Sequence, residues 1–132
     1  MIPSIRASEF APIATVAVIG AGFMGAQIAL HIAVHGYPVA VIDQFADALT
    51  RMRRAHEEEL DRRYAAGALS AEERAAVLAR VRATTDLAVG VGDADLVIEA
   101  VPERLDLKRA VFAELDRVCL PRTILATNSS SF

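Results

Sequence analysis

Residues Thr15 to Gly25 read TVAVIGAGFMG and join a continuous apolar run to glycines spaced G-x-G-x-x-G. The run up to Ile19 is rich in β-branched residues and shows no polar alternation, which predicts a strand covered on both faces, as in a parallel sheet. From Phe23 the apolar residues follow helical spacing, and Gly36 stands where a helix C-cap belongs. The segment therefore predicts a strand, a glycine turn and a helix.

Further strands follow this unit along the chain. A second buried strand, Pro38–Ile42, ends at Asp43, and a right-handed crossover would place it beside the first strand. The segments Asp95–Val101 and Thr123–Thr127 are also predicted strands, and Leu105–Cys119 between them has helical periodicity. Strands that alternate with helices predict a doubly wound α/β parallel sheet.

A charged region separates the second strand from the later ones. Asp47 to about Ala66 is predicted as a long helix, and Ala71–Arg82, preceded by a capping-box signature, as a second helix. Together they predict a helical hairpin inserted after the second strand. We predict a short third strand at Thr84–Ala88 and a loop at Gly90 and Gly92.

Length and composition limit the possible functions. The 132 residues suit one domain, residues 1–132, with no room for a full catalytic domain. A net charge of -3 argues against a nucleic-acid partner, and no apolar run approaches the roughly 20 residues that span a bilayer. The single cysteine, Cys119, cannot form an internal disulfide. We therefore expect a cytoplasmic domain with no nucleic-acid or membrane partner.

The glycine turn has the full context of a dinucleotide-binding fingerprint of the Rossmann type, because it follows a buried strand and opens a helix. Gly20 permits a tight turn, Gly22 lets the backbone approach a pyrophosphate, and Gly25 allows close packing of helix on strand. Asp43, 18 residues after Gly25, can accept both ribose hydroxyls of an adenosine, and its charge would repel a 2′-phosphate. The fingerprint predicts NAD rather than NADP, and a generic turn without a ligand is the alternative.

Polar residues follow several of the predicted strands. Gly20, Asp43, Val101–Glu103 and Asn128–Ser130 all come directly after strands, so they share the carboxyl edge of the sheet, where ligands bind in such folds. Charge complementarity to a helix N-terminus would also explain Glu103, and a solvated loop would also explain the serines. The spacing alone leaves both interpretations open.

Several segments together resemble the N-terminal domain of L-3-hydroxyacyl-CoA dehydrogenases. The resemblance covers nearly the whole chain from Thr15, and the predicted hairpin after Asp43 matches an insertion that the family carries there. The resemblance is specific because several matching segments occur together, whereas the glycine fingerprint alone is shared by many dehydrogenases. The segments are Val16–Gly25, Val41–Gln44, Ile98–Glu103 with Lys108 behind it, and Ile124–Ser131.

The resemblance implies roles for the matching residues. Asp43 would hold the adenosine ribose, and Glu103 and Lys108 would lie along the nicotinamide half of NAD. Asn128 would contact the nicotinamide riboside or the substrate, and Ser130 resembles the family's active-site serine, which hydrogen-bonds the substrate near its 3-oxygen. The implied catalytic residues are Ser130 and Asn128. The implied NAD-binding residues are Gly20, Gly22, Phe23, Met24, Gly25, Asp43, Gln44, Val101, Glu103, Lys108 and Asn128.

The activity that the resemblance implies is oxidation of the 3-hydroxyl of an L-3-hydroxyacyl thioester by NAD, or its reverse, in a homodimer at full length. The family's catalytic histidine, its partnering glutamate and a further asparagine lie beyond the serine motif, in a helical domain that these residues lack. We therefore expect NAD binding without turnover. An ungapped count from Asp43 puts Glu59 and Ala66 where some relatives present a serine and a lysine to CoA. A thioester on a carrier protein stays open as the substrate.

Two other functions compete with this interpretation. The 3-hydroxyacid dehydrogenases of the phosphogluconate or hydroxyisobutyrate type also show a methionine at the place of Met24, but Asn128–Ser131 and the hairpin argue against them. A non-catalytic dinucleotide sensor or a structural protein is the alternative from another class. His31 and His35 have the i, i+4 spacing of metal ligands, but no third ligand is apparent, so we expect no metal site.

Overall fold

The computed structural model describes residues 13–101, 105–119 and 123–127, except for the side chains of 105–108. Over these ranges the chain forms a five-stranded parallel sheet of order β3-β2-β1-β4-β5 with helices on both faces, which confirms the doubly wound fold. The elements are β1 Val16–Ile19, α1 Phe23–Val34, β2 Val39–Ile42, α2 Ala46–Ala65, α3 Ala71–Arg80, β3 Val81–Thr84, α4 Leu87–Val91, β4 Leu96–Glu99, α5 Leu105–Val118 and β5 Ile124–Thr127.

Strand β1 is the centre of the sheet, because it pairs in parallel with β2 on one side and with β4 on the other. The strand order reverses there, so the crevice between β1 and β4 is the topological switch point. Alternate strand residues enter two core layers, one packed against α1, α2 and α3 and the other against α4 and α5. The first layer includes Val16, Val18, Val39 and Val41, and the second includes Ala17, Ile19 and Ile42.

Helices α2 and α3 form the predicted hairpin. The capping box is present, because the N–H of Glu73 donates to Ser70 Oγ at 3.0 Å and the N–H of Ser70 donates to Glu73 Oε1 at 3.1 Å. Met52 and Leu60 of α2 are buried in the core layer that includes α1. The hairpin is therefore an integral part of the domain. None of the helices in the described ranges is long and apolar enough to cross a membrane.

The prediction for the third strand was wrong in its position. The helix predicted to reach Arg82 ends at Arg80, and β3 is Val81–Thr84 rather than Thr84–Ala88. Pairing with β2 places Val81 beside Val39, and Arg80 is held by a 2.9 Å bond to the carbonyl of Ala33. Pairing with a distant strand thus outweighs the local helical pattern. Sequence periodicity cannot detect such pairing.

The loop predicted at Gly90 and Gly92 was wrong for Gly90, whereas Gly92 lies in the turn that follows α4. Residues Leu87–Val91 form α4, which is capped by Asp86 through a 3.1 Å bond from the N–H of Val89. Gly90 lies inside this helix, and a Cβ atom there would overlap the side chain of Ile42. This glycine therefore marks close packing of a helix on β2.

A buried histidine connects the hairpin to α1. His56 of α2 is 2% exposed, and its Nε2 lies 2.7 Å from the carbonyl oxygen of Ala26 in the first turn of α1. Because a carbonyl oxygen can only accept, Nε2 carries the proton in this contact. Burial lowers the pKa of His56 and outweighs the bond to Ala26, which raises it, and the charge of Arg53 lowers the pKa further.

This pKa predicts a pH dependence of stability. The unfolded chain, in which a histidine titrates near about 6.5, binds the proton more readily than the folded chain, so the free energy of unfolding should fall as pH drops below about 6.5. A glutamine can donate to Ala26 without titrating, so His56→Gln should weaken this dependence. Urea unfolding of both proteins between about pH 7.5 and 5.5 measures the difference. Parallel stability curves would contradict the assignment.

Candidate cofactor-binding site

The first and third glycines of the turn are required by packing. Gly20 has φ +105°, and a Cβ atom on it would lie 2.6 Å from the carbonyl oxygen of Ala100 at the end of β4. A Cβ atom on Gly25 would overlap the carbonyl oxygen of Gly20. Both glycines let α1 start in contact with the ends of β1 and β4, so this part of the fingerprint has a structural reason.

The middle glycine has no such reason within the protein. Gly22 is the N-cap of α1, with φ -71° and ψ -171°, values open to any residue. Its added Cβ atom would meet no atom of the described residues within 4 Å. The space in front of this backbone is therefore open, as close approach of a ligand requires.

The N-terminus of α1 also differs from those of the next three helices. Helix α2 has Asp47 in its first turn, α3 is capped by Ser70, and α4 is capped by Asp86. Helix α1 has no acidic residue in its first turn and no side-chain cap. Its unpaired N–H groups and partial positive charge thus face no capping side chain, which suits a phosphate.

Asp43 is fixed beside this turn at the end of β2. Its Oδ2 accepts the N–H of Ala21 at 2.9 Å and its Oδ1 accepts the N–H of Phe45 at 2.9 Å. The N–H of Gly20 donates to the carbonyl of Ile42 at 2.7 Å, which draws the same two segments together. Each carboxylate oxygen has two lone pairs, so each can still accept a hydroxyl. Sequence analysis predicted the ligand role of Asp43 and missed this support of the turn.

Exposed side chains surround the turn. Phe23 is 79% exposed, and Met24 and Gln44, also predicted to contact the cofactor, are exposed as well. A cavity of about 540 Å³ adjoins the turn between α1 and α2, and its wall includes Gly22, Phe23 and His56. The large apolar side chain of Phe23 is thus available to a ligand.

A buried carboxylate lies at the end of β4. Glu99 is 1% exposed; its Oε2 accepts the N–H of Val101 at 2.9 Å, and its Oε1 accepts the hydroxyl of Thr127 at 3.1 Å. Val101, a predicted contact of the cofactor, is therefore anchored at the switch point. Sequence analysis gave Glu99 no role of its own. Its signal was an acidic residue inside an otherwise apolar strand.

Glu103, Asn128 and Ser130 lie outside the described residues, and so does the side chain of Lys108, whose backbone belongs to α5. In the described part of the chain, no group of three or more metal-binding side chains is found. The rings of His31 on α1 and of His35 at its C-cap are tilted by 49° with centroids 4.3 Å apart, and both residues are exposed.

The outer face of the hairpin is ion-paired. Glu59 accepts hydrogen bonds from Arg62 and Arg63, at 2.7 Å and 3.2 Å, and these bonds lower the pKa of its carboxyl group. Glu59 is the residue that stands where some relatives present a serine to CoA. Its charge is engaged by neighbours one turn away on the same helix.

The sheet order, the glycine turn and Asp43 define a dinucleotide-binding domain of the Rossmann type. Comparison with known families identifies which dinucleotide-binding family this is. Residues 15–132 match the family model described as 3-hydroxyacyl-CoA dehydrogenase, NAD binding domain, and the chain belongs to this family.

Individual relatives agree with the family match. The chain is 48% identical over 117 residues to 3-hydroxyadipyl-CoA dehydrogenase of Escherichia coli, covering 89% of this chain and 24% of the relative. It is 38% identical over 121 residues to mitochondrial hydroxyacyl-coenzyme A dehydrogenase of Rattus norvegicus, covering 88% and 38%. The crystal structure of 3-hydroxybutyryl-CoA dehydrogenase from Escherichia coli K12 superposes with a TM-score of 0.88 at 46% identity, covering 92% and 26%.

The chain corresponds to only one part of these relatives. The chain spans well under half the length of the curated relatives it matches, which corresponds to their NAD-binding part. A 3-hydroxyisobutyrate dehydrogenase of Mycobacterium tuberculosis, from the competing enzyme class, shares only the fold, at 21% identity and a TM-score of 0.62. The family match therefore favours the hydroxyacyl-CoA dehydrogenases over that class.

The different surroundings of the glycines predict different mutant phenotypes. Gly22→Val adds a side chain to open space, so dinucleotide binding should be lost while the far-ultraviolet circular dichroism and the melting temperature stay close to wild type. Gly25→Ala forces a Cβ atom against the carbonyl of Gly20, so it should destabilise the fold by about 1–3 kcal/mol or more. Calorimetric titration with NAD and thermal unfolding separate the two effects. Undiminished NAD binding by Gly22→Val would show that Gly22 faces no ligand.

Proposed function

We propose that this chain is the NAD-binding part of an enzyme that transfers a hydride between NAD and the 3-hydroxyl of an L-3-hydroxyacyl thioester. The observation that carries the proposal is the anchoring of Asp43 beside an uncapped helix N-terminus, in a chain that belongs to this family. A dinucleotide sensor without catalysis would use the same features, so the cofactor proposal and the reaction proposal need separate tests.

The proposed cofactor contacts follow from the local chemistry. The pyrophosphate would lie at the N-terminus of α1, where Gly22 leaves the backbone accessible. Asp43 would accept the hydroxyls of the adenosine ribose with the lone pairs that Ala21 and Phe45 leave free. When bound, NAD supplies the acceptor or donor of the hydride, and the chain's own residues bind and orient it.

The charge beside the ribose favours NAD over NADP. A 2′-phosphate would meet the carboxylate of Asp43, and like charges at short range repel. Sites for NADP usually provide an arginine nearby, whereas Asp43 is followed here by Gln44 and Phe45. The sequence after β2 therefore offers no adjacent cation to compensate a second phosphate.

The substrate proposal draws on the relatives. They include enzymes named for 3-hydroxyadipyl-CoA and 3-hydroxybutyryl-CoA, which supports an acyl-CoA thioester; an acyl chain on a carrier protein is the alternative. We propose that Ser130 and Asn128 contact the substrate, and that Glu103, Lys108 and Asn128 line the nicotinamide half. A homodimer and a cytoplasmic location remain proposals for the whole protein.

Asp43→Asn, tested with NAD and with NADP, separates the ligand role of Asp43 from its support of the turn. The change removes the charge and leaves one acceptor oxygen for the N–H groups of Ala21 and Phe45, so NAD should bind at least about tenfold more weakly. NADP should lose less affinity than NAD, or gain affinity, because the repulsion of its 2′-phosphate is removed. Calorimetric titration with both dinucleotides gives the two affinities. A loss of the same size for NAD and NADP would indicate a damaged turn alone, and that result would refute the proposed contact.

The isolated chain should bind NAD without turning over substrate. A positioned general base contributes about 100- to 10,000-fold to a rate, and none is in place among the described histidines. His56 is bonded to Ala26, while His31 on α1 and His35 at its C-cap are exposed. NADH absorbance with acetoacetyl-CoA should therefore stay constant with the 132 residues and decrease with a full-length relative as the control. Turnover by the chain alone would contradict this expectation and would indicate that one of these histidines acts as the base.

A further inference from the structure

Glu99 is unusual in the core of this domain. Among the described residues, Glu99 and His56 are the buried side chains with a polar or charged group. Burying a carboxylate is costly unless hydrogen bonds compensate it, and an apolar residue would fill the same place in a β-strand without that cost. Two bonds that Glu99 accepts from described residues indicate what its carboxylate does.

The two oxygens of Glu99 hold two different strand ends. Oε2 accepts the N–H of Val101, which fixes the chain just after β4. Oε1 accepts the hydroxyl of Thr127, the last residue of β5. Both contacts lie at the carboxyl edge of the sheet, where the ligand crevice of a doubly wound fold is found.

The opposite side of β4 borders the glycine turn. Glu99 is in register with Ile19, the residue before Gly20, and the carbonyl of Ala100 closely approaches Gly20. With the pyrophosphate at the start of α1 and the adenosine ribose at Asp43 beside β2, the remaining half of NAD would extend across β4 and β5. The carboxylate of Glu99 would then lie beneath the nicotinamide half of the proposed site.

We propose that Glu99 is a positioning residue for the nicotinamide half of the cofactor. Its carboxylate fixes the backbone at Val101 and the strand end at Thr127, so that this wall of the crevice is formed before the ligand arrives. Preorganisation of this kind strengthens binding, because the ligand does not have to order the two segments. The proposal rests on the placement of NAD under the proposed function.

Two ligands distinguish this role from a general effect on folding. ADP occupies only the adenosine and pyrophosphate part of the site, whereas NAD also occupies the nicotinamide part. Glu99→Gln keeps the size of the side chain and replaces charge-assisted bonds by neutral ones, so NAD should bind about five- to tenfold more weakly. The affinity for ADP should stay unchanged. Both are measured by calorimetric titration of the full chain.

Threonine variants provide matched controls. Thr127→Val removes the hydroxyl that donates to Glu99. Like Glu99→Gln, it should weaken the binding of NAD and leave the binding of ADP unchanged. Thr84→Val makes the identical change at the end of β3, at the other edge of the sheet, where Thr84 Oγ1 accepts the N–H of Asp86. This control should leave the ratio of NAD to ADP affinity at the wild-type value. Should Glu99→Gln fail to fold, Thr127→Val carries the test.

The outcomes separate this inference from the proposed function. Equal losses of NAD and ADP affinity, or no loss of NAD affinity, in Glu99→Gln and Thr127→Val would overturn the role of Glu99. Equal binding of NAD and ADP by wild type would overturn it as well, since the nicotinamide half would then contribute nothing. The proposed cofactor site itself fails if wild type binds neither NAD nor ADP, or if Asp43→Asn leaves the affinities for NAD and ADP unchanged.

Discussion

Helix α1 begins so close to the end of β1 that the carbonyl oxygen of Gly20 fills the space of a side chain at Gly25. In the same turn, a side chain on Gly20 would overlap the carbonyl of Ala100. Asp43, at the end of β2, holds the turn through its bond to the N–H of Ala21. Three strand ends and one helix start are thereby brought into contact around a few backbone atoms. The positions of the other elements at this edge depend on that contact, because a side chain at either glycine would separate them.

The three glycines of the fingerprint are alike in sequence and unlike in physical role. Gly20 and Gly25 are fixed by contacts within the protein, whereas the backbone at Gly22 faces open space. In one glycine motif, some positions can therefore be required for packing and others for binding a ligand. The structure separates the two, because it shows where a Cβ atom would collide with protein and where it would not.

Much of this architecture could be predicted from sequence. The apolar runs of β1 and β2, the glycine turn and Asp43 carry local signals, and these predicted the sheet and the place of the site. The third strand could not be located, because Val81–Thr84 combines a buried Val81 with exposed Arg82 and Ala83 and is a strand through its pairing with β2. The contacts of Glu99 with Thr127 and of His56 with Ala26 join residues about thirty positions apart, which no local pattern encodes.

The two buried polar side chains share a further property. His56 bonds a backbone carbonyl in the first turn of α1, and Glu99 bonds a backbone N–H just after β4, so each fixes main chain next to the turn. Apolar packing is non-directional and tolerates small shifts of one element against another, whereas a buried hydrogen bond weakens steeply with distance and angle. A site built from backbone N–H groups needs that directional restraint. Its polar anchors therefore lie where the packed core alone would leave the turn free to shift.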